Sequence, residues 1–143
     1  MSRRILHIID SLDFHGAASQ LLGLAKGLAQ QGFDVHVCAL DRRAPRLEEF
    51  VAAGIATTII PRRWALDPLA DWQLMRHVRR LRPDVVHTWN TVPGMFAPIV
   101  AGRPLVAGHY SIDRWKLGWE WAIERRFPRR AVRYVTNSNT VRT

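Results

Sequence analysis

Short apolar runs alternating with segments of helical periodicity constrain this chain more than any other feature. Residues 4–9 (RILHII), 35–40 (VHVCAL), 56–60, 84–88 (DVVHT), 105–108 (LVAG) and 132–136 read as strands. After the first, Leu21, Leu24, Ala25 and Leu28 recur at helical spacing over residues 17–31, and Gly32 stands where that helix has to stop. Pro45 opens a short helix with Leu47, Phe50 and Val51 inward and Gly54 at its end. Asp67 before Pro68 is a further start, an N-cap carboxylate followed by a first-turn proline. Its helix carries Trp72, Met75, Val78 and Leu81 and has to end near Arg82, because Pro83 follows. A helix from about residue 93, kinked by Pro98, and another over 115–127, closed by Pro128, complete the alternation. Asn137-Ser138 is placed to cap one more helix.

Strands that are apolar without a break are buried on both faces, and strand–helix alternation means a parallel sheet with helices on each side. Right-handed crossovers then predict an α/β, Rossmann-like three-layer sandwich, its doubly wound sheet in the order 3-2-1-4-5-6. At 143 residues, with 48% hydrophobic and 23% charged side chains, the chain makes one globular domain with a real core. No apolar run approaches the length of a transmembrane helix. Met1-Ser2-Arg3-Arg4 leads straight into a strand without a signal-peptide pattern, so a cytoplasmic location is expected. The single cysteine, Cys38, lies inside an apolar strand and reads as a buried structural thiol. The net charge of +9 points to an anionic partner: phosphate esters, nucleic acid or an acidic membrane surface. Any one arginine pair, such as Arg79-Arg80, is more simply a solvated face.

Ligands of open α/β sheets bind beyond the carboxyl ends of the strands, where strand order reverses between strands 1 and 4. Histidines stand there in this chain: His15 in the loop after the first strand, His87 at the end of the fourth, and His109 directly after the fifth. In the first loop, Gly16 lets backbone approach a ligand, and the next helix presents free N–H groups and a positive dipole end. This is not a dinucleotide fingerprint, since G-x-G-x-x-G is absent, nor a P-loop, since no Gly-Lys-Ser/Thr follows. A glycine needed only for the turn explains Gly16 about as well. Asp41, after the second strand, reads as an exposed turn acid rather than a ribose ligand. His7 and His36 fall mid-strand and are expected in the core or packed on the sheet, whereas His77 is expected exposed on a basic helix. Zinc shared by His15, His87 and His109 is disfavoured, because nothing in the sequence makes their rings converge.

Residues 5–40 (ILHIIDSLDFHGAASQLLGLAKGLAQQGFDVHVCAL) resemble the opening of retaining GT-B glycosyltransferases of family 4. LRPDVVHTWNTVPG at 81–94 is similar to that family's fourth-strand segment, PLVAGHYS at 104–111 to its fifth strand and histidine, and AVRYVTNSNTVR at 131–142 to the strand before its interdomain linker. The resemblance implies two Rossmann-like domains facing across a cleft, of which residues 1–143 form the N-terminal, acceptor-side domain. The nucleotide-sugar domain would have to come from elsewhere. It implies transfer of a sugar from a nucleotide diphosphate sugar to a glycan or lipid-linked acceptor, with retention and without a metal or other cofactor. It assigns His109 to the reaction centre, His15 and Gly16 to the loop near the donor phosphates, and His87 to the cleft wall. The chain departs from the pattern in carrying His15 where the family has its first loop glycine, and Ala18 where it has an acid or amide.

By position, Ser11, Asp13, Asn90 and Thr91 are candidates to hydrogen-bond an acceptor, and Trp89 to stack on one. Tryptophans and arginines crowd the stretch from Trp115 to Arg133. Peripheral contact with an anionic membrane, at the inner face, and simple packing on the sheet are both open for that stretch. A non-catalytic Rossmann-like module that binds a sugar or anionic ligand is the alternative function. Nucleic acid is favoured by charge alone, and a nucleotide-dependent oxidoreductase is disfavoured by the missing glycine fingerprint.

Overall fold

The computed structural model describes residues 2–14, 16–64, 67–89, 103–109 and 133–136. The described elements are β1 (Arg4–Ile9), α1 (Gly16–Gln30), β2 (Asp34–Ala39), α2 (Leu47–Ala52), β3 (Ala56–Ile59), α3 (Pro68–Leu81), β4 (Val85–Trp89), β5 (Leu105–His109) and β6 (Arg133–Thr136). The sheet runs β3-β2-β1-β4-β5-β6, the expected order, and each neighbouring pair of these strands is parallel. The helices expected from about 93 and over 115–127, and the cap at Asn137-Ser138, lie outside the described residues.

Successive strand residues point to opposite faces, and each face has its own core. On one face Ile9, Val35, Val37 and Ala39 meet Ala18, Leu21, Leu22 and Ala25 of α1 and Phe50 of α2. On the other, Leu6, Ile8, Cys38, Val86 and Leu105 meet Ala70, Leu74 and Val78 of α3. The Rossmann-like, doubly wound arrangement follows from these two apolar faces, since neither can be left to water.

The helix boundaries obey the local signals. Gly32 and Gly54 follow α1 and α2 with φ of 90° and 74°, a conformation that costs a glycine little. The Asp67 side chain accepts from the Ala70 amide at 3.3 Å, as an N-cap should. Arg63 donates to the same carboxylate from its backbone N–H and from Nε, both at 3.1 Å, and holds the carboxyl well below the usual range. At the other end of α3 the left-handed C-cap is Arg82, at φ 52°, because the α region is disfavoured directly before Pro83.

Helical spacing alone does not choose which face of a helix turns inward. Leu24, Val51 and Trp72 are exposed, at 39%, 62% and 49%. In α1 the buried stripe takes Leu22 in place of Leu24. In α2 Phe50 fills the core, which turns its neighbour Val51 outward. In α3 the stripe Ala70, Leu74 and Val78 repeats every fourth residue, and Trp72 is on the far side of it. The small Ala70 lets that helix lie close on the sheet, which a tryptophan stripe would not.

Cys38 is buried as expected, and burial pushes its thiol up to about 12. A thiol reagent at neutral pH is therefore expected to leave the native protein unlabelled and to label it in denaturant. Rapid labelling without denaturant would contradict the packing of β2.

Candidate active site

The carboxyl ends of β1 and β4 are adjacent, with Ile9 paired to Trp89, and this is where the strand order reverses. Beyond β1 the chain turns through Asp10–Phe14. Asp10 accepts from the Ser11 amide at 2.9 Å, and Asp13 from the Phe14 amide at 2.8 Å. Each carboxylate thus holds the amide of the next residue in a loop that has no secondary structure of its own. Leu12 anchors it, fully buried, and its carbonyl accepts from the Arg46 amide at 3.2 Å. Ser11 is half-buried, Asp13 is exposed and Phe14 is 75% exposed, so Ser11 and Asp13 stand at the expected edge.

The loop opens onto α1. A Cβ at Gly16 would meet nothing within 4 Å. Crowding does not require glycine there, and the open space leaves room for a ligand to approach the backbone. The first turn of α1 contains no acid, so the positive end of the helix is not neutralised from within. His15, Asn90 and Thr91 lie outside the described residues.

His87 does not end its strand. β4 continues to Trp89, and His87 is 8% exposed beside His7, its register partner on β1. The reason is Trp89, which extends β4 and packs inward. It is only 2% exposed, and its indole Nε1–H donates to His7 Nδ1 at 3.1 Å. Trp89 is thus a core residue here and not an open platform on which a sugar could stack. The three rings form one cluster: His7 and His87 centroids are 5.1 Å apart, His87 and Trp89 4.8 Å. Because Nδ1 of His7 accepts, a neutral His7 carries its proton on Nε2. That atom is buried without a partner. Burial, with His87 alongside, pushes His7 down to about 3, and burial pushes His87 to about 4. Both rings are neutral at pH 7.

His7 is the core residue it was expected to be, but its bond to Trp89 joins residues 82 apart in the chain and has no local sequence signal. Arg46 was also missed. Its amide holds Leu12, and its guanidinium reaches Ser19 of α1 at 2.5 Å and Glu49 of α2 at 2.9 Å. It therefore ties the first loop to both helices on that face. A pairing of α2 with its own preceding turn was legible, whereas Ser19 was not.

The remaining histidines sort by environment. His36 Nε2 meets Asp34 Oδ1 at 2.9 Å across one strand position, and the group is half-buried. His77 is not exposed. Its Nε2 is buried without a hydrogen-bond partner, and burial with His36 nearby lowers its proton affinity. Asp41 is the exposed turn acid it was read to be, accepting from the Arg43 amide at 2.9 Å. His109 is itself the last residue of β5, paired with Thr136, and its side chain lies outside the described residues. Among the described residues no group of three or more His, Cys, Asp or Glu side chains is placed to hold a metal ion.

The profile of Glycosyltransferase Family 4 matches residues 14–143. The chain belongs to that family. This family 4 domain is also similar in fold to MurG from Acinetobacter baumannii, with a TM-score of 0.68 at 19% identity over 96% of the chain. A glycosyltransferase from Rickettsia africae aligns at a TM-score of 0.59 and 13% identity, over 76% of the chain and 30% of that protein. Phosphoribosylglycinamide formyltransferase from Brucella melitensis reaches 0.59 at 22% identity, over 82% of the chain and 62% of that protein. At such identities these likenesses show the Rossmann-like fold alone, and an enzyme of other chemistry shares it. No curated protein sequence matches the domain. The family 4 chain spans 42% of the length of MurG.

Proposed function

We propose that this domain is the acceptor-side half of a family 4 glycosyltransferase. In this reading the enzyme moves a sugar from a nucleotide diphosphate sugar to a glycan or lipid-linked acceptor, with retention. A second Rossmann-like domain holds most of the nucleotide. The carrying observation is the family match over residues 14–143, on a sheet whose order brings the carboxyl ends of β1 and β4 side by side. Gly16 and the unneutralised start of α1 face donor phosphates. Ser11 and Asp13 take acceptor hydroxyls, with Asn90 and Thr91 from the other side of the switch point. His109, ending β5, steadies charge on the departing phosphate or donates to the transferred sugar. No metal or organic cofactor enters this scheme.

His87 and Trp89 play a different part from a direct ligand. Their burial against His7 fixes the end of β4, the last described position before Asn90 and Thr91 in the sequence. The test is made on the full-length protein. It is incubated with a panel of nucleotide diphosphate sugars and membrane lipid extract or oligosaccharide acceptors, and released nucleoside diphosphate and product anomer are read together. Turnover with one donor and an anomer matching that donor supports the scheme. An inverted product removes retention. Saturable sugar binding with no turnover for any donor favours the non-catalytic module.

A further inference from the structure

The inner face of α3 packs on the sheet through Ala70, Leu74 and Val78, with Leu81 at its end. Its outer face is nevertheless apolar at the start. Leu69 and Trp72 are 54% and 49% exposed, and Trp64, in the loop that leads into the helix, is 60% exposed. Farther along the same face stand Arg76, Arg79 and Arg80, all exposed. Residues 69, 72, 76, 79 and 80 are spaced to form one stripe.

The charge on this stripe is of one sign. The two acids of the region are turned away from it: Asp67 is buried as the N-cap and held by Arg63, and Asp71 accepts from Arg62 at 2.7 Å. Arg76, Arg79 and Arg80 make no ion pair among the described residues. Arginine lies over both exposed tryptophans, Arg63 at 4.7 Å from the Trp64 ring and Arg76 at 5.4 Å from the Trp72 ring. Tryptophan with its apolar body out, beside arginine, suits a boundary with an oily side and an anionic side. A nucleic acid would use the arginines but gives Leu69 no partner.

We propose that the outer stripe of α3, together with Trp64, seats this domain on an anionic phospholipid bilayer. Trp64, Leu69 and Trp72 enter the interface, and Arg76, Arg79 and Arg80 face phospholipid headgroups. This surface is distinct from the stretch between Trp115 and Arg133, which lies outside the described residues. No helix among the described residues is long and apolar enough to cross a membrane, so the contact is peripheral. Since α3 follows the carboxyl end of β3, its apolar first turn is at the same end of the parallel sheet as the carboxyl ends of β1 and β4. A bilayer held there lies close to the cleft. That last consequence rests on the proposed transferase reading, whereas the binding itself does not.

The test uses the full-length protein with vesicles of phosphatidylcholine, alone or mixed with phosphatidylglycerol, at low and at high salt. Co-sedimentation and the blue shift of tryptophan emission are the readouts. Two variants are compared after circular dichroism shows that they are folded: Leu69→Ser with Trp72→Ser, and Arg76, Arg79 and Arg80 all changed to Gln. The parent is expected to bind the mixed vesicles and to be weakened by salt. Loss of three surface arginines is expected to weaken binding on the order of 100-fold, at about 1 kcal/mol each. The apolar double variant is expected to lose the blue shift. The proposal is overturned if the parent binds neither vesicle, if both variants bind like the parent, or if the parent is retained by random-sequence RNA but not by vesicles. None of these readouts depends on sugar transfer, so failure here and failure of the transferase reading are separate results.

Discussion

Lowering the pH from 7 to 5 is expected to cost this domain about 4 kcal/mol of stability through two buried histidines alone. His7 and His87 are adjacent on β1 and β4, with ring centroids 5.1 Å apart, and titrate near 3 and 4 in the fold against an ordinary 6.5. Below 6.5 the unfolded chain binds two protons that the native state refuses, so stability rises with pH across this window and falls as pH drops. Each histidine contributes about 1.4 kcal/mol per pH unit once the unfolded ring is fully protonated. The depressed carboxyls, Asp34, Glu49 and Asp67, act only at lower pH, because their ordinary values lie between 3.8 and 4.5. The loss between pH 6.5 and 5 is therefore a histidine signature. Urea unfolding at pH 7, 6 and 5 measures it. His7→Gln keeps an acceptor for the Trp89 indole but does not titrate, and is expected to reduce the pH slope by somewhat less than half, with His87 and the lowered His77 supplying the rest. A slope unchanged in that variant would mean that His7 is not buried as a neutral ring.

Replacing His109 by Ala in the full-length enzyme is expected to lower kcat on the order of 100-fold or more, with the donor KM changed much less. The expectation depends on the proposed transferase reading and on the place of His109 at the carboxyl end of β5. A group that meets charge only as the donor bond breaks acts on the transition state and leaves ground-state binding nearly intact. His109→Gln, which retains a hydrogen-bond donor but no titratable ring, separates hydrogen bonding from proton transfer. Recovery of most activity assigns a hydrogen-bonding role, and continued loss assigns one to the imidazole proton. A kcat within about twofold of the parent in both variants would remove His109 from the reaction.

The architecture is legible from local pattern alone. Unbroken apolar strands separated by helical periodicities admit few arrangements besides a doubly wound parallel sheet, and right-handed crossovers select its order. Local pattern also places the helix ends, because Asp67, Pro68, Gly32 and Gly54 act on backbone geometry within a turn of themselves. The family was legible for a related reason: its motifs occupy short stretches at strand ends, in an order that survives as sequence.

Which apolar side chains lie inside depends instead on packing between elements. Leu22 or Leu24, and Ala70 or Trp72, satisfy helical spacing equally until the sheet is present to choose the face that packs closer. Packing also decides what the histidines do. His87 reads as a strand end from its neighbours, yet Trp89 prolongs β4 and turns its indole back onto His7. That bond couples strands distant in the chain and adjacent in the sheet, so no local pattern announces it. A polar ring becomes core or ligand according to the atoms that close around it, and those come from the whole fold.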